Sequence, residues 1–260
     1  MKPLNGKAYG SIPHLPNSRM GPADHSCHEG QYRICCERKR DKHDRVIVTE
    51  KLDGACVAVA NVNGSVLAIG RSGYLASSST FAHIKQFGDW VELSYKRFLS
   101  LPIGARICGE WITLAHGTTY NILSDPFIPF DVIDAVGRWP HDAARDLFSK
   151  VNLTGAHVVS DGDPISVESA MGALGQYGFH NATETIEGAV WRVERKGKFD
   201  FIAKWVRPDK IDGKYLDTVS GDAPLWNDGY DTNDIAKHFS VPESWIYNGL
   251  AVRRSRKAAA

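Results

Sequence analysis

The chain has 260 residues, enough for one large domain or for one domain with an appendage. Its composition, 43% hydrophobic and 23% charged, excludes low-complexity and disordered classes, and a net charge of +1 does not by itself indicate a nucleic-acid partner. No apolar run is long enough to span a membrane and the N-terminus lacks a signal-peptide core, so we expect a cytoplasmic protein without a membrane partner.

The predicted elements are mainly strands, with a few helices between them. Residues 1–44 are rich in Pro, Gly, His and charge and predict loops and short elements. Strands are predicted from β-branched or alternating runs, and helices from apolar residues at helical spacing. The predicted strands are 45–50, the hairpin 55–70 with a tight Asn63-Gly64 turn, 105–112, 128–135 and a hairpin over 187–206, and the predicted helices are 79–99, 141–151 and 166–178.

Hairpin-joined strands with scattered helices predict an α+β fold of mainly antiparallel sheets flanked by helices. After Pro208 the pattern weakens, and residues 231–260 predict one or two short helices. We therefore expect a main domain over 1–210 and a small, helical C-terminal appendage over 211–260.

The five cysteines are odd in number and lack disulfide-like spacing, which predicts free thiols in a reducing compartment. Cys27, His28, Cys35 and Cys36 are candidate zinc ligands. Paired C-x-x-C spacing is missing, however, so plain thiols are the favoured interpretation.

Two basic clusters are candidate nucleic-acid contacts. From Arg33 to Arg45 the chain reads RICCERKRDKHDR, and its C-terminus reads AVRRSRKAAA. Clusters of this kind can hold a phosphate backbone, although a solvated surface explains them equally well.

The stretch VTEKLDGACVAV places Lys51 between two apolar strands. An amine is nucleophilic only when unprotonated, and burial or a nearby cation lowers its pKa. Gly54 allows a sharp backbone turn there, which suits a lysine at the floor of a pocket. Taken alone, a surface lysine at a strand end is the simpler interpretation.

Other polar or aromatic side chains stand at the edges of apolar strands. Together they could line one cleft for a nucleoside triphosphate with magnesium, because cations neutralise phosphates, an aromatic ring stacks on the base, and carboxylates hold hydroxyls or the metal. Taken singly, each is more simply a surface charge or a core aromatic. The candidates are Arg71 in RSG, Glu110 in GEW, Phe130 and Asp131 in FDVID, Glu187 in EGAVW and Lys204 in AKWVR.

The ordered motifs KLDG, RSG, GEW, FDVID and EGAVW, followed by a strand-borne lysine, resemble those of the covalent nucleotidyltransferase superfamily of polynucleotide ligases and mRNA capping enzymes. K-x-D-G alone has many chance matches, whereas five or six elements in this order are specific. The stretch YGSIPHLPNSRMGPAD also resembles the N-terminal segment of phage-type RNA ligases. The resemblance implies a nucleotidyltransferase (adenylation) domain over 1–210.

The resemblance also implies a reaction in three steps. Lys51 would attack the α-phosphate of ATP, release pyrophosphate and form a lysyl–AMP phosphoramidate. AMP would pass to a 5′-phosphate end of RNA, and a 3′-hydroxyl end would displace AMP and seal the strand. The implied cofactors are ATP and Mg²⁺, with Mn²⁺ as an alternative metal.

The implied site residues divide by the part of the nucleotide that they contact. The implied catalytic residues are Lys51, Asp53 and Lys204, and the implied metal ligands are Asp53 and Glu187. The implied nucleotide contacts are Glu50, Phe130 (Phe127 as the alternative ring) and Val190 for adenine, Glu110 for the ribose, Arg71 for the ribose and phosphates, and Lys51, Lys204 and Glu187 around the phosphates and metal.

One departure from the family pattern lies on the last strand. The family usually has two lysines there, as K-x-K, whereas AKWVR has Lys204 followed only by Arg207. Arg207 is the candidate second cation, with a spacing that is off by one, and arginine is not interchangeable with lysine.

The length after the last motif favours an RNA ligase. DNA ligases and capping enzymes carry an OB-fold there, and the 53 residues after Arg207 would hold one only with difficulty. The alternatives are a minimal DNA ligase, a capping-type guanylyltransferase, and a non-catalytic protein that binds nucleic-acid ends. We expect a monomer, and the sequence leaves open whether the RNA is single-stranded, a nicked duplex or an RNA/DNA hybrid.

Overall fold

The protein is described from a computed structural model that covers residues 2–227. Two short 3₁₀ turns, Ala76–Ser78 and Tyr95–Ser100, flank the longest helix. The helices and strands, in chain order, are α1 (Glu29–Cys36), β1 (Asp44–Lys51), β2 (Ala55–Val62), β3 (Ser65–Gly70), α2 (Ala82–Leu93), β4 (Arg106–Trp111), β5 (Phe127–Ile133), α3 (His141–Lys150), β6 (Val158–Gly162), α4 (Val167–Leu174), β7 (Gly188–Arg195), β8 (Lys198–Val206) and α5 (Asp217–Ser220).

Two four-stranded antiparallel sheets form the frame, and this confirms the predicted α+β class. The first has the order β6-β1-β7-β8 and the second β3-β2-β4-β5. Helices α2 and α3 pack on the second sheet around Phe87, Trp90 and Phe127, while α1 and α4 cover the first sheet. Among the described residues, no helix has the length and apolar character needed to cross a membrane.

The chain crosses from one sheet to the other directly after Lys51. This lysine is the last residue of β1, and β2 starts in the other sheet at Ala55. Gly54 is needed there because a Cβ would lie 2.6 Å from the Trp111 carbonyl oxygen, too close for any side chain. The reason for this glycine is thus the close approach of β4 rather than the sharp turn that the sequence suggested.

Both predicted hairpins are present. Asn63 and Gly64 have φ of 52° and 87°, and Lys196 and Gly197 have φ of 51° and 70°. Two consecutive residues with positive φ form the turn that matches the twist of antiparallel strands. These turns fix the register of β2 with β3 and of β7 with β8.

The structure departs from the sequence-based elements in three places. The predicted helix 79–99 is divided into α2, which ends at Leu93, and the 3₁₀ turn Tyr95–Ser100. Helix α1 is not one of these departures, because short elements were expected within residues 1–44. It is held by the Gln31 side chain, which accepts a hydrogen bond from the His28 N–H, and by the burial of Cys35 and Cys36. The edge strand β6 was missed because its half-exposed sequence VVSDG lacks a clear alternation. Helix α4 ends at Leu174, four residues before the predicted end.

The chain before α1, which forms an N-terminal segment, joins the two sheets. The Ala8 N–H donates to the Arg71 carbonyl at the end of β3, and the Leu15 N–H donates to the Lys204 carbonyl on β8. The segment therefore closes one side of the space between the sheets, a role the sequence did not reveal. Its likeness to phage-type ligases stays a prediction.

Residues 211–227 pack against the same body. The Asn227 side chain donates to the Ile112 carbonyl and accepts from the Tyr120 N–H, and the Ala115 N–H donates to the Leu225 carbonyl. The division at residue 210 stays a prediction, and the predicted helices within 231–260 lie outside the described residues.

Substituting Gly188 by alanine is expected to lower the free energy of unfolding by about 3 kcal/mol. A Cβ at this first residue of β7 would lie 1.9 Å from the Trp205 carbonyl oxygen of β8, so the two strands would have to separate. Urea unfolding measures the loss, with Gly30→Ala as the control, because a Cβ on Gly30 of α1 meets nothing within 4 Å. Equal stability of the two variants would contradict this pairing of β7 and β8.

Candidate active site

A cleft of about 1190 Å³ opens between the two sheets, and Lys51 stands in its wall. The crossing from β1 to β2 brings the end of one sheet beside the other, so side chains distant in sequence meet here. The predicted nucleotide-site residues that line this cleft are Glu50, Lys51, Asp53, Arg71, Glu110, Phe130, Glu187, Val190 and Lys204. The structure thus brings the whole predicted set together.

Two lysines and two carboxylates form a charge cluster in the cleft. Lys51 Nζ lies 2.5 Å from Glu187 Oε2, while Lys210 Nζ lies 2.5 Å from Glu187 Oε1 and 2.9 Å from Asp53 Oδ1. Asp53 Oδ2 accepts a hydrogen bond of 2.9 Å from the Gly117 N–H. Asp53 and Glu187, which are far apart in the sequence, are therefore bridged by a single ammonium group.

The surroundings of Lys51 differ from the sequence-based expectation. Burial lowers the pKa of Lys51, but the carboxylates of Glu187, Glu110 and Asp53 raise it by more than burial lowers it. The pKa of Lys51 therefore lies above its ordinary value. The sequence suggested that burial or a nearby cation lowers the pKa of this lysine, whereas its carboxylate neighbours raise it. An unprotonated Lys51 amine would require that Glu187 take up its proton or that another cation offset the carboxylates.

The other carboxylates of the cleft respond to burial in different ways. Burial raises the pKa of Glu110 to about 7, although Lys51 opposes this. Burial also acts to raise the pKa of Glu187, but Lys51 and Lys210 outweigh it and hold that pKa below the ordinary value. At neutral pH Glu187 is thus the ionised partner of both lysines.

The adenine end of the cleft is expected at Glu50, Phe130 and Val190. Glu50 Oε2 accepts a hydrogen bond of 2.8 Å from the Phe179 N–H, whereas within residues 2–227 its buried Oε1 has no hydrogen-bond partner. An amino group of a base is a suitable donor to that second oxygen. Phe130 and Val190 line the same cleft from different sheets.

The N-terminal segment braces Phe130. The Tyr9 ring contacts the Phe130 ring edge-on at 5.0 Å, and Tyr9 Oη donates to Asp131 Oδ2 at 2.7 Å. Asp131 also accepts from Arg192 at 2.6 Å and from Arg138 at 2.9 Å. Asp131 therefore fixes the cleft wall, which is a structural role.

Two alternatives drawn from the sequence are wrong. Phe127 lies in the core, where its ring packs against Phe87 and Trp90, because it faces the opposite side of β5 from Phe130. Arg207 is not among the residues that line the cleft: its Nε donates to the Ile186 carbonyl and its Nη1 pairs with Asp209.

Lys210 lines the cleft, whereas Arg207 is not among its lining residues. It stands six residues after Lys204, in the loop that follows β8, so the K-x-K spacing offers no signal for it. Lys204 Nζ lies 3.7 Å from Asp24 Oδ1 of the N-terminal segment, and burial together with Lys51 lowers the pKa of Lys204.

The sequence also missed His83 and His116. Burial lowers the pKa of each to about 4, so both line the cleft as neutral rings.

The basic segment 33–45 is largely paired with acidic side chains. It ends within the first two residues of β1, and the seven residue steps from Asp44 to Lys51 span roughly 23 Å at about 3.3 Å per residue. The segment thus lies at the far end of the sheet from the cleft, and most of its charge is offset locally. The pairs are Arg33 with Glu29, Lys39 with Asp163, Arg40 with Asp44 and Asp200, and Arg45 with Asp142 and Asp161.

All five cysteines are free thiols. Burial raises the pKa of Cys36 to about 12, and it raises that of Cys35 as well, so both stay protonated. Among residues 2–227, no group of three or more His, Cys, Asp or Glu side chains is arranged to hold a metal ion. The zinc alternative therefore finds no support, and the basic C-terminal tail lies outside the described residues.

Glu50 is expected to make stability depend on pH. Burial raises its pKa from 4.5 to about 7, so the folded protein binds a proton more tightly than the unfolded chain, and stability falls as pH rises from about 4.5 to 7. Glu50→Gln keeps the acceptor for Phe179 but does not ionise. Relative to wild type, the variant should gain about 3 kcal/mol between pH 4 and pH 8 in urea unfolding. A difference that does not change with pH would contradict the burial of this carboxyl.

The sequence profile of the RNA ligase family matches residues 44–206, more than half of the chain. This span begins at the first residue of β1 and ends at the last residue of β8. It therefore contains both sheets and every predicted nucleotide-site residue. No curated protein sequence matches the chain.

Solved structures of RNA ligases are similar to this fold. An apo variant of the Naegleria gruberi RNA ligase has a TM-score of 0.50 and 17% identity, over 76% of this chain and 58% of that one. A variant of the Naegleria gruberi RNA ligase with AMP and Mn has a TM-score of 0.48 and 16% identity, over 76% of this chain and 59% of that one. An archaeal ATP-dependent RNA ligase has a TM-score of 0.44 and 20% identity, over 63% of this chain and 42% of that one. The chain thus spans between 42% and 59% of these structures.

Proposed function

Because the chain belongs to the RNA ligase family, we propose that it is an ATP-dependent enzyme that joins RNA ends through a lysyl–AMP intermediate on Lys51. The observation that carries this proposal is the placement of Lys51 in one cleft with every predicted nucleotide contact, and in direct contact with Glu187. We further propose 5′-phosphate and 3′-hydroxyl RNA ends as substrates. A cytoplasmic monomer remains the expectation.

The first step is a phosphoryl transfer, in which the protein positions groups and offsets charge. The Lys51 nitrogen forms a bond to the α-phosphorus of ATP while the bond to the β-phosphate oxygen breaks, and pyrophosphate leaves. Glu187 Oε2, at 2.5 Å, is the nearest acceptor for the proton that Lys51 must lose. Lys204, which lines the same cleft, would face the α-phosphate.

The adenosine contacts follow from the lining of the cleft. Adenine would lie between Phe130 and Val190, with its amino group donating to the second carboxylate oxygen of Glu50. Glu110 would accept hydrogen bonds from the ribose hydroxyls. Arg71 would bind the phosphates first and the 3′-hydroxyl end later.

The donor set of the cleft fits a magnesium ion that arrives with the nucleotide. Asp53 and Glu187 place two carboxylate oxygens around a single point. Lys210 Nζ lies at that point, 2.9 Å from Asp53 Oδ1 and 2.5 Å from Glu187 Oε1. Mg²⁺ is usually held by one or two carboxylates together with substrate phosphates and water, rather than by a complete protein cage. Such an ion, or Mn²⁺, would offset the negative charge of the phosphates.

In the later steps the protein transfers AMP from Lys51 to the 5′-phosphate of one end. The 3′-hydroxyl of the other end then attacks that phosphate, and AMP leaves as the phosphodiester forms. Phosphate and 2′-hydroxyl contacts would distinguish RNA from DNA.

The test is a joining assay with matched RNA, DNA and mixed substrates, single-stranded and nicked, each with ATP or GTP and Mg²⁺. The expected result is joined RNA, with adenylated 5′ ends as the intermediate, from ATP only. Preferential joining of nicked DNA would replace the proposal with a DNA ligase, and transfer of GMP would replace it with a capping enzyme. The absence of any product and of any protein–nucleotide adduct would leave a protein that only binds ends.

A further inference from the structure

Lys210 is a buried cation in a position built to receive it. Its side chain is 5% exposed, and its Nζ bridges Asp53 Oδ1 and Glu187 Oε1. Gly117 leaves the room for it, because a Cβ there would lie 3.1 Å from Lys210 Cε and 2.9 Å from Asp53 Oδ2. The two carboxylates therefore hold the Lys210 ammonium at one buried position, unlike the ammonium of a surface lysine.

Each oxygen of the two carboxylates accepts a hydrogen bond from a group of the protein. Glu187 accepts from Lys51 on one oxygen and from Lys210 on the other, and Asp53 accepts from Lys210 and from the Gly117 N–H. Each of the four carboxylate oxygens thus has a partner at 2.5–2.9 Å. Lys210 Nζ fills the space between Asp53 Oδ1 and Glu187 Oε1, so a divalent ion that binds both of these oxygens from that position must displace it.

We propose that the Lys210 ammonium competes with a divalent metal ion for the position between Asp53 and Glu187, and that it yields this position when a nucleotide arrives with its metal ion. This rests on the proposed function, since it concerns the same cleft. Nucleotide phosphates offer the displaced ammonium new partners, and Asp212 Oδ1, 3.8 Å from Nζ and mostly exposed, offers one on the way out. Lys210 is therefore a positioning residue that makes metal binding depend on nucleotide binding.

The test is a Mn²⁺ titration of the full-length protein without nucleotide, followed by the electron paramagnetic resonance signal of free Mn²⁺. Lys210→Met removes the competing charge and leaves both carboxylates, so its Kd for Mn²⁺ should be at least about tenfold lower than that of wild type. Lys214→Met is the matched control, because Lys214 pairs with Glu184 at an exposed position, and its Kd should equal that of wild type.

Two further variants keep the result decisive. Lys210→Gln removes the charge but retains a hydrogen-bond donor, so it should also bind Mn²⁺ more tightly if Lys210→Met does not fold. Adding Asp53→Asn to Lys210→Met should abolish the gain. Loss of structure lowers the affinity of a site, so a gain in affinity cannot arise from misfolding.

A Kd for Mn²⁺ that is unchanged in both Lys210 variants, or a gain that survives Asp53→Asn, would overturn the proposal. Transfer of label from α-labelled ATP to the wild-type protein is measured separately. If no label is transferred, the proposed function fails, while the Mn²⁺ titration still decides the role of Lys210. If label is transferred and the titration shows no gain, only the role of Lys210 fails.

Discussion

An arginine in place of Lys51 is expected to lower formation of the protein–AMP adduct by about 10⁴-fold or more. Arginine keeps the positive charge opposite Glu187, but its guanidinium stays protonated and cannot act as the nucleophile. The measurement is the transfer of label from α-labelled ATP to the denatured protein.

The control for this variant is a substrate that already carries AMP on its 5′-phosphate. Its joining uses the 3′-hydroxyl as the nucleophile and does not need an amine at position 51, so Lys51→Arg should still join it. An adduct that persists in Lys51→Arg would move the nucleophile to another lysine of the cleft, with Lys204 and Lys210 as the candidates.

Removing the carboxylate of Glu187 is expected to have the largest effect on stability. Glu187→Ala leaves the partly buried Lys51 and the buried Lys210 without their shared partner, which should cost about 3–5 kcal/mol in urea unfolding. Adduct formation should fall as well, because Glu187 is the nearest acceptor for the Lys51 proton.

The matched control is Glu29→Ala, which removes an exposed ion pair with Arg33 and should cost less than about 1 kcal/mol. A similar small cost for Glu187→Ala would mean that the cluster in the cleft does not form as described. A large cost with normal adduct formation would mean that Glu187 holds the fold and plays no part in the chemistry.

The sequence predicted the members of the cleft well because they belong to ordered motifs on strands. Lys51, Glu110, Glu187 and Lys204 each stand beside a short motif at the edge of an apolar strand, and strand pairing then brings them together. The pairing of Val190 with Lys204 and of Lys51 with Gly188 shows how register alone aligns residues that are far apart in the chain.

The sequence failed where a role depends on a loop or on side-chain contacts. Lys210 lies in a loop after β8, so no strand periodicity points to it, and Arg207 was chosen only because it is nearer to Lys204. The charge of Arg45 suggested a nucleic-acid surface, but Asp142 and Asp161 pair with it from distant parts of the chain.

The pKa of Lys51 was misjudged for a related reason. Cations were counted as its neighbours, while the nearest charged group is the Glu187 carboxylate at 2.5 Å. Which of several charges touches a buried amine depends on side-chain geometry, and sequence spacing does not determine that geometry. The contact of Tyr9 with Phe130, which are more than a hundred residues apart, also could not be predicted from the sequence.

Mass spectrometry of the wild-type protein after incubation with ATP and Mg²⁺ tests the central claim most directly. The expected result is a gain of one AMP on the peptide that contains Lys51, lost again when RNA with a 5′-phosphate end is added. An unmodified Lys51 in protein that nevertheless joins RNA, or AMP carried on a different residue, would contradict the assignment of Lys51 as the nucleophile.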